Sequence, residues 1–502
     1  MDFLGNIDTQ HEGNRATTVT ERIPILHNTT SHRERFHMSA LFSGLYGMLI
    51  YLFAIVLLTA GLAQQLETPE TFNIYTIVVY IVAIAWIVGD IIYLKVNKLS
   101  PVGTEMSMAS SLHVKGGIVT FGFTSILMSI IDIWLKSQTY EDVLLYEIGL
   151  GMRIIFFFAE IIYLINFSNI CVTSWSALRR FGLMHVMVTN FKDMTMHVII
   201  DSGGLNEITT SKNSTNTTNS SLQSMWNVLE PYLDVCRIQY CFIAAATVAI
   251  MWNSIGNVHQ VKTKDVVSNG HYSSWNTSIA LILGFAVITG TVASLIISSS
   301  LEDNSIFLSY YYIRVTLNFI TLYTVTVLLA VSRRSNLGFR KLLAPFQLDE
   351  LIIGLCLVFY TLQEMYSSLS LIVAIYCSDV KYEVLTSIDQ LLTLVRIVIQ
   401  TVLIVQSLRL KVSIPIGHWF RSMLLFFSMS NLAWWIIALT ELNNNQHIYE
   451  TQKNLYGRKT YEVIHGITGP FVVFYYYQSS VCFFEMWMTN NLHFVSVKIA
   501  HD

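Results

Sequence analysis

The chain alternates between long apolar runs and shorter polar stretches. Twelve of the runs reach the length of about 20 residues that an α-helix needs to cross about 30 Å of hydrocarbon. The pattern predicts twelve transmembrane helices, at residues 40–63, 73–94, 115–136, 145–169, 180–203, 232–254, 276–299, 305–331, 349–376, 384–408, 418–441 and 461–486. The polar segment 1–38 has no short apolar core followed by a cleavage site, so we predict a tail there and not a signal peptide.

Lys and Arg residues are unevenly distributed between the two sets of loops. If the N-terminus is cytoplasmic, the cytoplasmic tails and loops hold nineteen of the 30 and the outer loops hold six. Because positive charge concentrates on the cytoplasmic side of membrane proteins, both termini are predicted to be cytoplasmic.

One outer loop supports the same orientation. Between spans five and six the chain carries three glycosylation sequons, at Asn213, Asn216 and Asn219. Since N-glycans are added only on a lumenal or extracellular face, the loop is predicted to be external and the protein to be a glycoprotein of the plasma membrane.

The two halves of the chain show related spacing. In each half, one polar residue, one Asn and one Tyr follow in the same order on the last three spans: Glu160, Asn190 and Tyr240, then Gln400, Asn431 and Tyr475. Because each half has an even number of spans, two such repeats would have parallel orientation.

The predicted fold is an all-α polytopic membrane protein with twelve transmembrane helices in two six-helix repeats. The predicted parts are an N-terminal tail at 1–38, an N half at 39–255, a cytoplasmic linker at 256–274, a C half at 275–490 and a C-terminal tail at 491–502.

Composition narrows the functional classes. Of 502 residues, 53% are hydrophobic and only 13% are charged, about half of the ~25% charged share of soluble domains. This excludes a soluble enzyme and a nucleic-acid binder, and a net charge of −3 gives no argument for an anionic partner. The six cysteines lack zinc spacing, and no P-loop, HExxH or GxSxG motif is present. We therefore predict neither an enzyme nor a cofactor or metal site.

Ionisable side chains inside the predicted spans are candidates for function, because burying them in lipid is costly. They are Asp90, Asp132, Glu160, Lys192, Asp193, Arg237, Arg314, Glu364, Asp389, Arg396 and Glu485. Glu160 differs from the others, since it lies near mid-span among apolar and aromatic neighbours with no basic residue one helical turn away. Such a carboxyl favours its neutral acid form and is a candidate for proton exchange.

Most of the other ionisable groups are expected to be structural. Three near span ends are expected to reach the lipid headgroups: Asp132, Arg237 and Glu485. Arg314 and Arg396 are expected to form ion pairs. Lys192 and Asp193 are adjacent and point about 100° apart, so a direct bridge between them is not expected. Lys192 is then an alternative ion-pair partner for Glu160.

Four segments carry a family resemblance. They are SSLHVKGGIVTFGF at 110–123, ALRRFGLMHVMVTN at 177–190, IQYCFIAAATVAIMWNSIG at 238–256 and GPFVVFYYYQSSVCFFEMW at 469–487. Together they resemble the otopetrins, a family of proton-selective channels. The similarity covers nearly the whole transmembrane region and weakens in spans seven to nine, and the short loops resemble those of an invertebrate branch.

The resemblance implies a homodimer of chains with two six-helix halves, each enclosing a vestibule narrowed by a Gln–Asn–Tyr constellation. Carried over by motif, the C-half set is Gln400, Asn431 and Tyr475, and the N-half set is Asn190 and Tyr240 with Glu160 in the Gln position. A third route between the halves has a Glu and a His in the family, and these positions here hold Gln239 and Gln478, which do not titrate. The implied partners are protons, membrane lipid with sterol among it, and a second copy of the chain.

Two functions from different classes follow from these features. A proton channel needs only a chain of waters and hydrogen-bonding side chains, and responsiveness to extracellular acid is expected of the family. A proton-coupled secondary transporter with a midplane site between repeats fits twelve spans equally well. The distinguishing feature is a pair of broken helices in matching positions, and Pro470 is predicted to break span twelve without a matching Pro in span six. A receptor without conductance is the third reading.

Overall fold

The computed structural model describes residues 23–63, 70–97, 112–137, 144–168, 175–199, 221–255, 275–300, 304–334, 348–377, 381–408, 418–444 and 452–499. In these ranges the chain forms twelve long helices: α1 Ile23–Ala63, α2 Glu70–Val96, α3 Leu112–Ser137, α4 Leu144–Phe167, α5 Ser176–Ile199, α6 Ser221–Ser254, α7 Trp275–Ser300, α8 Asn304–Arg334, α9 Leu348–Cys377, α10 Lys381–Leu408, α11 His418–Asn444 and α12 Arg458–Ile499. Helices satisfy every backbone hydrogen bond within the segment, which apolar surroundings require.

Each predicted span coincides with one of these helices, so the all-α polytopic fold is confirmed. In the described part of the chain, ten helices are long and apolar enough to cross a membrane. The other two, α5 and α12, are more polar. They pack against several neighbours, α5 against α1, α2, α6 and α12, and α12 against α9, α10 and α11. A helix enclosed by other helices can carry polar side chains without exposing them to lipid. That α5 and α12 cross the membrane stays a prediction.

Helix α12 contains a proline that was expected to break it. Pro470 lies inside a helix that continues from Arg458 to Ile499, so the predicted break is wrong. Neighbouring helices can re-satisfy the carbonyl that a proline leaves without a donor.

The packing of the helices repeats from one half to the other. The pairs α1–α5, α5–α6, α2–α4, α3–α4 and α3–α6 recur six helices later as α7–α11, α11–α12, α8–α10, α9–α10 and α9–α12. The halves meet through α5–α12, α6–α11 and α6–α12. Exchanging the halves maps these contacts onto one another, which agrees with two related six-helix repeats.

Buried apolar side chains form one cluster that extends through both halves. It includes Phe156, Phe157 and Tyr240 in the N half, and Phe427 and Tyr475 in the C half. The candidate site residues of both halves are therefore embedded in packed protein and not on the lipid-facing surface.

Candidate functional site

The N-half constellation predicted from the sequence is brought together. Glu160 on α4, Asn190 on α5 and Tyr240 on α6 are fully buried. The Asn190 Nδ2 donates to Glu160 Oε1 at 2.6 Å, and the Tyr240 hydroxyl donates to Glu160 Oε2 at 2.9 Å. Each carboxyl oxygen thus receives one hydrogen bond from a different helix.

Local packing fixes these side chains. The Asn190 Nδ2 also donates to the Val186 carbonyl at 3.1 Å, and the Tyr240 ring packs edge-on against Phe157 with centroids 4.7 Å apart. Gly122 on α3 leaves room for the Tyr240 ring, since a Cβ there would lie 2.8 Å from a ring carbon. The Asn190 Oδ1 is buried and has no hydrogen-bond partner among the described residues. A buried acceptor of this kind is a place where water binds.

An ion pair lies beside this constellation. Lys192 Nζ is 2.9 Å from Asp193 Oδ1, and both side chains are almost fully buried. The expectation that these neighbours would not pair is wrong, because the flexible Lys stem brings its ammonium to the adjacent carboxylate. The Tyr80 hydroxyl donates to the same carboxylate, 2.8 Å from each oxygen, and its ring lies 4.1 Å from Lys192 Nζ. In the structure Lys192 therefore pairs with Asp193 and not with Glu160.

A second buried cluster joins α3, α4, α5 and α6. Arg237 lies 3.1 Å from Asp132 and 3.2 Å from Asp234. The prediction that Arg237 and Asp132 reach headgroups is wrong, because Arg237 is only 4% exposed and its charge is paired inside the bundle. Arg153 Nη1 lies 2.7 Å from His197 Nε2. A guanidinium can only donate, so this His197 nitrogen accepts the bond and carries no proton.

The C-half constellation is assembled differently. The Gln400 Nε2 donates to Asn431 Oδ1 at 2.8 Å. Tyr475 does not join this amide pair through any hydrogen bond in the described structure. Its hydroxyl donates to the Ile397 carbonyl at 2.9 Å and lies 2.9 Å from the Thr401 hydroxyl. The three residues of the C-half set are therefore all neutral, in contrast to the N-half set with its carboxyl.

Two arginines meet in one polar cluster of the C half. Arg314 pairs with Asp389 at 2.6 Å, which confirms its predicted role. The ion pair predicted for Arg396 is wrong. Its Nε donates to Asn318 Oδ1 at 2.8 Å and its Nη2 to the Tyr476 hydroxyl at 2.7 Å. Asn318 in turn donates to Asp389 at 2.5 Å, so an amide separates this carboxylate from Arg396.

A cavity of about 50 Å³ lies between α8, α9, α11 and α12. Its lining includes Arg314, Glu364, Trp434, His465 and Tyr476. A water needs only about 10–15 Å³ of such space, so the cavity has room for a few waters. With the predicted orientation it belongs to the outer part of the C half.

A buried triad lies at the end of the N half that is predicted to be cytoplasmic. Arg179 lies 2.9 Å from Asp90, and the Tyr163 hydroxyl donates to the same carboxylate oxygen at 2.6 Å. Arg180 donates to the Ile255 carbonyl at 3.3 Å. Arg179 and Arg180 are both buried in the bundle, where these contacts hold them.

The residues predicted for a route between the halves lie on α6 and α12, which contact each other. Gln239 is 1% exposed, and neither its Nε2 nor its Oε1 has a hydrogen-bond partner among the described residues. Gln478 is buried, and its Nε2 lies 3.8 Å from Cys482 Sγ. Neither side chain carries a charge.

Several polar side chains of the two halves were not predicted from the sequence: Tyr80, Arg153, His197, Asn318 and Tyr476. Arg153 had a visible signal, because it precedes Glu160 by seven residues and therefore shares its helix face. The others contact their partners across helices that are distant in sequence. The described residues contain no group of three or more His, Cys, Asp or Glu side chains arranged to hold a metal ion. The sequons Asn213, Asn216 and Asn219 lie outside the described residues.

Comparison with known proteins gives one family match. The family model of the otopetrins matches residues 192–477, which is more than half of the chain. The match contains Tyr240, Gln400, Asn431 and Tyr475. A "Proton channel OtopLc" from Drosophila melanogaster is 24% identical over 456 residues, covering 78% of this chain. The matched part is only 28% of that relative, so the chain spans less than a third of its length.

Proposed function

The chain belongs to the otopetrin family, and from this membership we propose that it is a channel that conducts protons across the membrane down their electrochemical gradient. The observation that carries the proposal is the fully buried Glu160 carboxyl, bonded by Asn190 and Tyr240. A carboxyl held between two hydrogen-bonding side chains can take up and release a proton without a substrate pocket or cofactor.

The N half supplies further polar groups near Glu160. Tyr80 and Asp193 are hydrogen-bonded to each other on the neighbouring helices, and the open Oδ1 of Asn190 can accept a bond from water. A proton arriving along waters is accepted by the Glu160 carboxylate. Its release towards the other side restores the carboxylate, so Glu160 acts as a relay and not as a fixed charge.

The C half contributes a second constriction, formed by Gln400, Asn431 and Tyr475. These groups orient water by hydrogen bonds, and none of them exchanges a proton near neutral pH. Gln239 and Gln478 are the corresponding candidates between the halves. The two constrictions therefore have different chemistry although the helices around them pack alike.

We propose responsiveness to extracellular acid from family membership alone. His197 does not carry this proposal, because its Nε2 lies 2.7 Å from Arg153 Nη1 and 3.5 Å from Arg237 Nη1, and two neighbouring cations oppose its protonation.

The alternative is a proton-coupled secondary transporter. One feature speaks against it: α12 is continuous through Pro470 and is therefore not one of the paired broken helices typical of such transporters. A channel therefore remains the better account.

The proposed setting is the plasma membrane, with both termini cytoplasmic and with glycans on the loop between α5 and α6. We infer a homodimer, because family resemblance implies one, and contact with membrane lipid that includes sterol.

The test is a whole-cell current recorded with intracellular pH imaging during an extracellular acid step. A proton channel gives an inward current, intracellular acidification, and a reversal potential that shifts by about 59 mV per pH unit. A current whose reversal potential follows sodium or chloride instead would contradict proton conduction. Uptake that saturates and requires an organic co-substrate would favour the transporter.

A further inference from the structure

A buried guanidinium, that of Arg396, lies beside Gln400 in the C half. We propose that Arg396 is a selectivity residue that keeps protons and other cations out of the C half, so that the proton current passes Glu160 in the N half. This rests on the proposed function, because it assigns the proton current to one of two routes.

Arg396 lies next to the constriction. It precedes Gln400 by four residues on α10, which places it on the same helix face about 6 Å along the axis. Its side chain is 1% exposed. Bonds to Asn318 on α8 and to Tyr476 on α12 hold the guanidinium across the space between these helices. A cation approaching Gln400 from the outer side must therefore pass this group.

Among the described residues, no carboxylate contacts the Arg396 guanidinium directly. No carboxylate oxygen of a described residue lies within 4.0 Å of its guanidinium. Asp389 is paired with Arg314 and separated from Arg396 by the Asn318 amide, and Glu364 acts on Arg396 only from beyond ion-pair distance. The guanidinium instead lies 4.4 Å from the ring of Trp434. A ring stabilises the cation but leaves its charge in place.

The magnitude is sufficient for exclusion. Two isolated unit charges about 6 Å apart at an effective dielectric of about 20 repel each other enough to lower occupancy by roughly 100-fold. This is the upper limit here, because the Asp389 and Glu364 carboxylates lie in the same cluster. A single Arg also excludes protons and cations in other narrow membrane pores. Neutralising Arg396 should therefore raise proton entry at Gln400 by up to about this factor.

The N half lacks this barrier at the same level. The residue four positions before Glu160 is the buried and apolar Phe156, and the constriction itself contains the Glu160 carboxyl. The nearest N-half cations are farther away or paired: Lys192 with Asp193 at 2.9 Å, and Arg153 seven residues from Glu160, about 10 Å along the helix. A proton therefore meets an acceptor in the N half and a fixed cation in the C half.

The experiment compares currents in the wild type, Glu160→Gln, and Glu160→Gln combined with either Arg396→Gln or Arg396→Lys. Currents are compared at equal surface abundance, measured by surface biotinylation. Glu160→Gln should lose current by on the order of 100-fold, because it removes the group that exchanges the proton. Adding Arg396→Gln to Glu160→Gln should raise the current at least about 10-fold above that of Glu160→Gln alone, since the C half is then open. Arg396→Lys in the same background keeps the positive charge and should restore nothing.

Arg153→Gln in the Glu160→Gln background is the matched control. It neutralises another buried arginine, but one on the route that Glu160→Gln already blocks, so no current should return. Arg396→Met is the second neutral variant if Arg396→Gln does not reach the surface.

Failure of this inference differs from failure of the proposed function. A wild-type chain without proton current contradicts the channel itself. A wild-type proton current with no recovery in either neutral Arg396 variant overturns the role of Arg396. A Glu160→Gln current above half of the wild-type value also overturns the role of Arg396, because most of the current then avoids Glu160. This measurement alone tests that role if neither neutral Arg396 variant reaches the surface.

Discussion

Replacing Glu160 with glutamine should separate conduction from folding. The Asn190 Nδ2 can still donate to the remaining side-chain oxygen, where it now donates at 2.6 Å. The Tyr240 hydroxyl, which now donates at 2.9 Å, can rotate to accept from the new amide, because a hydroxyl both donates and accepts. Both hydrogen bonds survive, so the free energy of unfolding should change by less than about 1 kcal/mol. The C half already holds a glutamine, Gln400, at the corresponding position.

Glu160→Leu is the comparison that shows what losing those bonds costs. It leaves the Asn190 amide and the Tyr240 hydroxyl without their acceptor, at about 1–3 kcal/mol for each buried orphaned group. We expect Glu160→Leu to lower the thermal midpoint of the purified protein and its surface abundance, whereas Glu160→Gln should leave both near wild type.

The current of Glu160→Gln should fall although its stability is retained. Glu160→Gln folds but cannot exchange a proton, so current per surface channel should fall on the order of 100-fold, at the lower end of what a positioned proton-transfer group contributes. Whole-cell current during an acid step, divided by biotinylated surface protein, measures this ratio. Unchanged amplitude and pH dependence in Glu160→Gln would refute the relay, and a large loss of thermal stability would refute the hydrogen-bond argument.

Three further outcomes are expected. Gly122→Ala should reduce current, because its new Cβ would lie 2.8 Å from the Tyr240 ring; Gly116→Ala, which meets open space, is the matched control, and equal currents in both would contradict the packing argument. Asp193→Asn should destabilise the protein by about 3–5 kcal/mol in a thermal shift assay, because Lys192 is left buried without its partner. Adding Lys192→Met to Asp193→Asn should restore part of the lost stability. A double variant no more stable than Asp193→Asn alone would exclude the broken ion pair as the cause. Replacing Asn213, Asn216 and Asn219 by glutamine should increase gel mobility if their loop is external, because the glycans are lost. Mobility equal to that of the wild type would argue against that orientation.

The residues of the candidate site were partly accessible from the sequence. Spacing and resemblance singled out Glu160, Asn190 and Tyr240, and the structure joins them by hydrogen bonds. The same reasoning failed for Lys192, because helix geometry alone places it about 100° from Asp193 and ignores the reach of a four-carbon side chain. It also assigned Arg396 an ion pair, although its actual partners are an amide, a hydroxyl and a ring.

What the sequence by itself determined was the set of helices. Membrane-spanning length, apolar content and the distribution of Lys and Arg are properties of short segments, so they can be read without knowing which helix lies beside which. The partners of buried polar groups depend instead on side chains that are far apart along the chain. Asp132 meets Arg237, and Asn318 meets both Asp389 and Arg396, only after the helices pack. Tertiary structure alone therefore decided that one candidate site holds a carboxyl between two donors, while the other lies beside an arginine that no described carboxylate contacts directly.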